Sequence, residues 1–179
     1  MLRLCIDLNI WVAALLAERL AVCASNRKGR SNTASQYLVE LVRSGASPVG
    51  EVSLIISLGM LDELRSVIIE HLGLNLDIAD AYIFAIEEYA KLGVQLTLGG
   101  TGVIALRDTE DLHVLETAIA GKADFLVTAN FKDFLVRRDT QVKIVNRHAI
   151  YHSSAHSLQI VHPYLMVEWL RSGKIPTIA

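Results

Sequence analysis

Short apolar runs trade places with longer stretches of apolar residues at helical spacing, and this alternation predicts the elements. Leu2-Arg-Leu-Cys-Ile6 reads as a strand that Asp7-Leu-Asn9 ends in a turn. Ile10 to Ala24 has only Glu18 and Arg19 as charges, so a helix there must pack over most of its surface. Polar Ser25 to Thr33 predicts a loop, and a second helix spans 34–43, stopped by Ser44-Gly45 and Pro48. Val52 to Ile56 predicts the second strand, and Ser57 can cap a helix over 59–72. Asn75-Leu-Asp77 opens a helix with Ile78, Ala81, Tyr82, Ala85, Ile86 and Tyr89 on one face, ended by Gly93. A third strand is expected over 94–98, before the Gly99-Gly-Thr-Gly102 link.

The stretch from Asp108 to Phe134 carries the densest pattern. Asp108 and Thr109 are acceptable N-caps, and Glu110 and Asp111 bring negative charge where a helix dipole favours it. Leu112, Leu115, Ala118 and Ile119 recur at helical spacing; Phe125-Leu-Val127 then reads as a buried parallel strand ending at Thr128 and Asn130. Strands are also expected at 142–145 and 158–161, with a last amphipathic helix from Pro163 through Trp169. Strands alternating with helices predict an α/β fold, with a mostly parallel sheet flanked by helices on both faces.

At 179 residues, 52% of them hydrophobic, the chain can bury a full core as one domain over 1–179. Cys5 and Cys23 are read as small buried hydrophobes rather than a disulfide framework. Asp7 interrupts the opening apolar run, so no secretory leader is expected; nothing in the chain reads as a membrane span, and a cytoplasmic location is expected. A net charge of −2 excludes a globally basic nucleic-acid binder, so any basic surface is local. Arg27, Lys28 and Arg30 in the first loop are the candidate; they either meet phosphates or are simply solvated.

Acidic residues fall where elements end or begin. Asp7 follows the first strand, Glu63 sits in the helix after the second, Asp108 and Asp111 start a helix, and Asp133 lies past Thr128. In a doubly wound sheet the carboxyl ends of adjacent strands open on one crevice. Clustered carboxylates repel and take up protons unless a cation offsets them, and oxygen-rich sites suit Mg²⁺ or Mn²⁺. The chemistry natural to such a site is phosphoryl transfer. Each residue also has a structural reading: Asp7 as a turn residue, Glu63 as a solvated position, Asp108 and Asp111 as cap and dipole partners.

Three segments carry a family resemblance. Leu4-Cys-Ile-Asp7-Leu-Asn9-Ile-Trp-Val-Ala-Ala-Leu-Leu16 resembles the opening strand and helix of PIN-domain ribonucleases, and Ile56 to Val67, containing Glu63, resembles their second acidic block. Asp108-x-x-Asp111, running to Ala123-Asp124-Phe-Leu-Val-Thr128, is similar to the third. The resemblance implies a metal-dependent endoribonuclease that cuts RNA to leave 5′-phosphate and 3′-hydroxyl ends, often the toxin of a toxin–antitoxin pair. It also implies that Asp7, Glu63 and Asp111 bind the metal, Mg²⁺ or Mn²⁺, beside Asn9 and Thr128. Its implied partners are an RNA substrate, an antitoxin and a second copy in a homodimer, with no membrane.

Many members carry an aspartate two residues after the threonine, where Asn130 stands. Asp133 either takes that role or caps the next short helix. A PIN-like module that only binds RNA or protein is therefore the alternative. A phosphatase of the haloacid dehalogenase type is disfavoured, because its second strand-end aspartate would fall at Asn9. Loop 25–33 and segment 146–157 are expected as insertions. His148, His152 and His156 in the latter would share a face if helical, which allows a zinc site, but Ser153-Ser154 favours a loop.

Overall fold

A computed structural model describes residues 1–23, 33–93, 96–97, 112–135, 139–153 and 156–178. The first strand, β1 (Leu2–Ile6), leads directly into α1 (Leu8–Cys23). Helix α2 (Ala34–Ser44) opens on a capping box in which Thr33 Oγ1 accepts from the Gln36 N–H, and it ends at left-handed Gly45. A two-residue strand β2 (Ala46–Ser47) turns into β3 (Gly50–Ile55), and Ser57 caps α3 (Leu58–Ser66) as its sequence position predicts. The single helix expected over 59–72 instead changes pitch. Residues Val67–His71 form a π-helical turn, with Leu72 N donating to Val67 O at 3.1 Å.

Asn75 caps α4 (Leu76–Lys91), and α5 (Leu112–Ala120) leads to β4 (Phe125–Val127). The chain closes with β5 (Thr140–Ile144), β6 (His148–His152), β7 (Ser157–Val161) and the Pro-headed α6 (Pro163–Ser172). No described helix is long and apolar enough to cross a membrane.

The described strands form one sheet in the order β2-β3-β1-β4-β7-β6-β5. Its centre, β3-β1-β4-β7, is parallel; β2 at one edge and β6 and β5 at the other are antiparallel. Most of the strand expected over 94–98 lies outside the described residues, but Thr97 bridges Ser57 in parallel sense. Alternate residues of each strand face opposite sides, and both sides are covered. On one side Cys5 packs under α5, its thiol against Val114 O, and that burial pushes the thiol pKa up. On the other, Phe125 meets Trp169 of α6 edge-on at 6.3 Å. The chain is thus an α/β domain with a core of Leu4, Ile6, Leu54, Ile55, Leu126 and Ile160 at the heart of the sheet.

The loop expected over 146–157 is corrected by strand β6. A turn with left-handed Asn146 (φ 57°) folds β6 back on β5, and β6 pairs along its length with β7. Its two histidines find partners on β7. His148 Nε2 lies 2.8 Å from Gln159 Oε1, and His152 Nδ1 lies 3.0 Å from Ser157 Oγ.

Candidate active site

β1 and β4 are neighbours, so Asp7 and Thr128, each one residue past its strand, emerge side by side at the carboxyl edge. The ladder continues into them: Asp7 N donates to Val127 O at 3.0 Å, and Thr128 N to Val161 O at 3.1 Å. Asp7 is only 3% exposed. Its Oδ2 accepts two hydrogen bonds, from Thr128 Oγ1 at 2.5 Å and Asn9 Nδ2 at 2.6 Å. Burial raises the Asp7 carboxyl above its ordinary value; the Thr128 hydroxyl, the Leu8 amide, Asn9 and nearby His113 each pull it partly back. Charge at this position is therefore costly, and the surrounding donors offset only part of the cost.

Thr128 Oγ1 also accepts from the Asn130 N–H at 2.9 Å, which turns the chain so that Asn130 reaches the same cleft. The cleft is open, about 430 Å³, and its polar lining comes from Asp7, Asn9, Glu63, His113 and Asn130. Val12, Ala13 and Leu16 of α1 and Val67 of the π turn form its apolar wall. Glu63 is presented by α3, one helical turn before the change of pitch, and is 41% exposed. Two contacts set α5 relative to α3 and the sheet: Thr117 Oγ1 donates to Ser57 Oγ at 3.0 Å, and the Cys5 thiol meets Val114 O.

Of the residues singled out from sequence, Asp7, Asn9, Glu63 and Asn130 line one cleft, and Thr128 lies beneath it against Asp7. Asp133 is exposed on the following turn, its N–H donating to Asn130 O at 3.1 Å, and it does not line the cleft. Asp108, Asp111, Arg27, Lys28 and Arg30 lie outside the described residues. Among the described residues no group of three His, Cys, Asp or Glu side chains gathers as a metal site would require.

The three histidines of the hairpin do not converge. His148 is held by Gln159 and edge-on to Trp169, His152 meets Ser157, and His156 Nε2 donates to Ala123 O at 2.7 Å. Asp124 is likewise structural: it accepts from Arg3 N at 2.8 Å and from Arg3 Nη2 at 2.9 Å, pinning β1 to β4.

His113 is the cleft residue that the sequence reading passed over. Its Nε2 sits 2.8 Å from Glu63 Oε2, yet makes no aligned hydrogen bond among the described residues. The signal available was its place in the first turn of the helix that follows Asp111, the turn that must face the sheet edge if Asp111 does.

A family model for the PIN domain matches residues 3–132, a span that includes every cleft residue named above. The chain belongs to the PIN-domain family. PIN domains are in general nucleases that use divalent metals, which agrees with an acidic cleft at the carboxyl edge of a parallel sheet. Comparison with curated proteins and with solved structures returned no match.

Proposed function

We propose that this PIN domain is a Mg²⁺- or Mn²⁺-dependent endoribonuclease that hydrolyses RNA phosphodiesters. The observation that carries the reading is Asp7: a carboxylate buried at a strand end, made costly as an ion, and facing a cleft shared with Glu63. Such a carboxylate is offset by a hard cation, and the oxygen donors of Asp7, Glu63, Asn9 and Asn130 suit one. Asp7 and Glu63 would hold the ion, with Asp111 as the third acid. A bound ion supplies a Lewis acid beside the scissile phosphate.

The chain's own residues do the rest. Thr128 and Asn9 donate to the same oxygen of Asp7 and so fix the carboxylate in one orientation. The Asn130 side chain offers an amide donor to a phosphate oxygen at the cleft mouth, and Arg27, Lys28 and Arg30 add phosphate contacts. The role of toxin in a toxin–antitoxin pair, acting in the cytoplasm with an antitoxin and as a homodimer, belongs to the same reading. A small antitoxin reading frame beside the gene would support it.

One observation favours a second reading, a module that binds RNA without cutting it. Asn130 lines the cleft where many PIN domains present an aspartate, so one negative charge fewer faces the site. The deciding assay is cleavage of mixed single-stranded RNA across a Mn²⁺ series by wild type and Asn130→Asp. Cleavage by wild type, with a lower metal requirement in Asn130→Asp, supports the enzyme. Binding without cleavage by both proteins at every metal level replaces it with the binding module.

A further inference from the structure

β1, β4 and β7 are neighbours, so Asp7, Thr128 and His162, each just past its strand, stand in a row along one edge of the sheet. Thr128 N donates to Val161 O at 3.1 Å, which carries that row beyond the cleft. Neighbouring strands lie about 4.8 Å apart, so His162 stands about 10 Å from Asp7 along the edge. β6 runs antiparallel to β7, and the turn before it brings Arg147 to the same edge. There the Arg147 carbonyl accepts from His162 N at 2.8 Å.

Helix capping does not explain His162. It occupies the N-cap of α6, a position that favours Ser, Thr, Asp or Asn, and it makes no side-chain capping bond. Its imidazole instead stacks on Tyr164, with ring centroids 5.4 Å apart and planes 22° from parallel. Burial and the Arg147 charge push the His162 pKa down, so at pH 7 it backs the tyrosine as a neutral ring. Tyr164 itself is 67% exposed, a large aromatic held in place at the surface. Arg147 is also exposed and forms no ion pair among the described residues.

We propose that Tyr164, stacked on His162 and flanked by Arg147, is a base-stacking subsite for single-stranded RNA that runs along the sheet edge from the Asp7 cleft. The proposal rests on the RNA-directed reading above. Every base has a π-face, so an aromatic ring takes any base, whereas an arginine meets phosphate. A ring already fixed by its neighbour loses little freedom when a base settles on it. The acidic cleft repels phosphate, and Arg147 supplies positive charge at the far end of the same edge.

The test measures binding of a mixed-sequence single-stranded RNA to the full chain by fluorescence anisotropy, in chelator so that nothing is cut. Tyr164→Ala should weaken binding about five- to a hundredfold, the worth of one stacked base, with its salt dependence unchanged. Tyr164→Phe keeps the ring and should bind like wild type. Arg147→Ala should lower the logarithmic salt slope by about 0.7. Wild type and Tyr164→Ala should bind an abasic strand of the same length equally. In wild type, a strand carrying 5-iodouridine should photo-crosslink to Tyr164, located by mass spectrometry, a readout that needs no variant.

Equal affinity of wild type and Tyr164→Ala for the RNA overturns the proposal, and so does an equal loss on the abasic strand. A crosslink that forms only at other residues overturns it as well, even if Tyr164→Ala fails to fold. An unchanged slope in Arg147→Ala overturns the phosphate contact. In each case the RNA-directed reading stands. Failure of wild type to bind or cut RNA, with or without Mn²⁺, overturns that reading itself and the proposal with it.

Discussion

Replacing Thr128 by Val removes one hydroxyl from a fully buried site and leaves its shape nearly unchanged, so the effect reads almost purely on Asp7. A hydrogen bond to a charged group contributes about 1.5–3 kcal/mol. The Asn130 N–H also loses its acceptor, but Asn130 is exposed and water can replace it. Thr128→Val should therefore cost about 2–3 kcal/mol at pH 7 in chelator-treated protein, a fall in Tm of about 4–12 °C for a chain of this size.

The cost must depend on pH. The folded Asp7 carboxyl lies above its ordinary 3.8, so the folded state holds the proton more tightly than the unfolded state does. The contribution of Asp7 is complete below 3.8 and is lost as pH rises through the raised folded value. The Thr128 hydroxyl limits that loss by favouring the ion, and the valine variant lifts the folded value further. The difference between the two proteins should thus be small near pH 4 and grow toward neutrality. In an Asp7→Asn background the same substitution should cost only about 1 kcal/mol, the worth of a neutral hydrogen bond. Urea denaturation of the four proteins across this pH range measures it. An equal cost at pH 4 and pH 7, or an undiminished cost beside Asn at position 7, refutes the claim that Thr128 acts on an ionised Asp7.

Mn²⁺ or Mg²⁺ at a hundred times its Kd should stabilise wild type by about 2.7 kcal/mol, and Asp7→Asn should abolish the effect in thermal scans. An equal shift in both proteins would remove the ion from Asp7. Gly121→Ala should lose about 1–3 kcal/mol, because a Cβ there would stand 2.2 Å from Ile55 Cγ2 and 3.0 Å from Thr97 Oγ1. In urea melts the added Ile55→Ala change should cost less than the sum of the two single changes; strict additivity would count against the clash. Changing Arg27, Lys28 and Arg30 together to Ala should flatten the logarithmic salt dependence of single-stranded RNA binding by about 2. An unaltered slope returns that loop to bulk solvent.

The alternation of elements and most of their ends were legible because their causes are local. Ser57 and Asn75 cap the helices they precede through contacts three residues away, Pro163 opens α6, and Gly45 ends α2 in the left-handed region. The place of Asp7 and Thr128 at the carboxyl edge of the sheet was legible because a polar residue just past an apolar strand has one place to go in a parallel sheet.

Where the deciding partner lies on another strand or helix, only the tertiary structure spoke. β6 looked too polar for a strand because Gln159 and Ser157, which satisfy His148 and His152, sit on β7. The π turn after α3 and the position of Asp133 away from the cleft left no mark in residue spacing. His113 reads in sequence as one polar residue in an amphipathic helix. It becomes part of the cleft because α3 and α5 are packed together at Ser57 and Thr117, which sets an imidazole against a carboxylate fifty positions away. Capping and periodicity act within a turn or two of chain, whereas the meeting of His113 with Glu63 depends on how the whole sheet is covered.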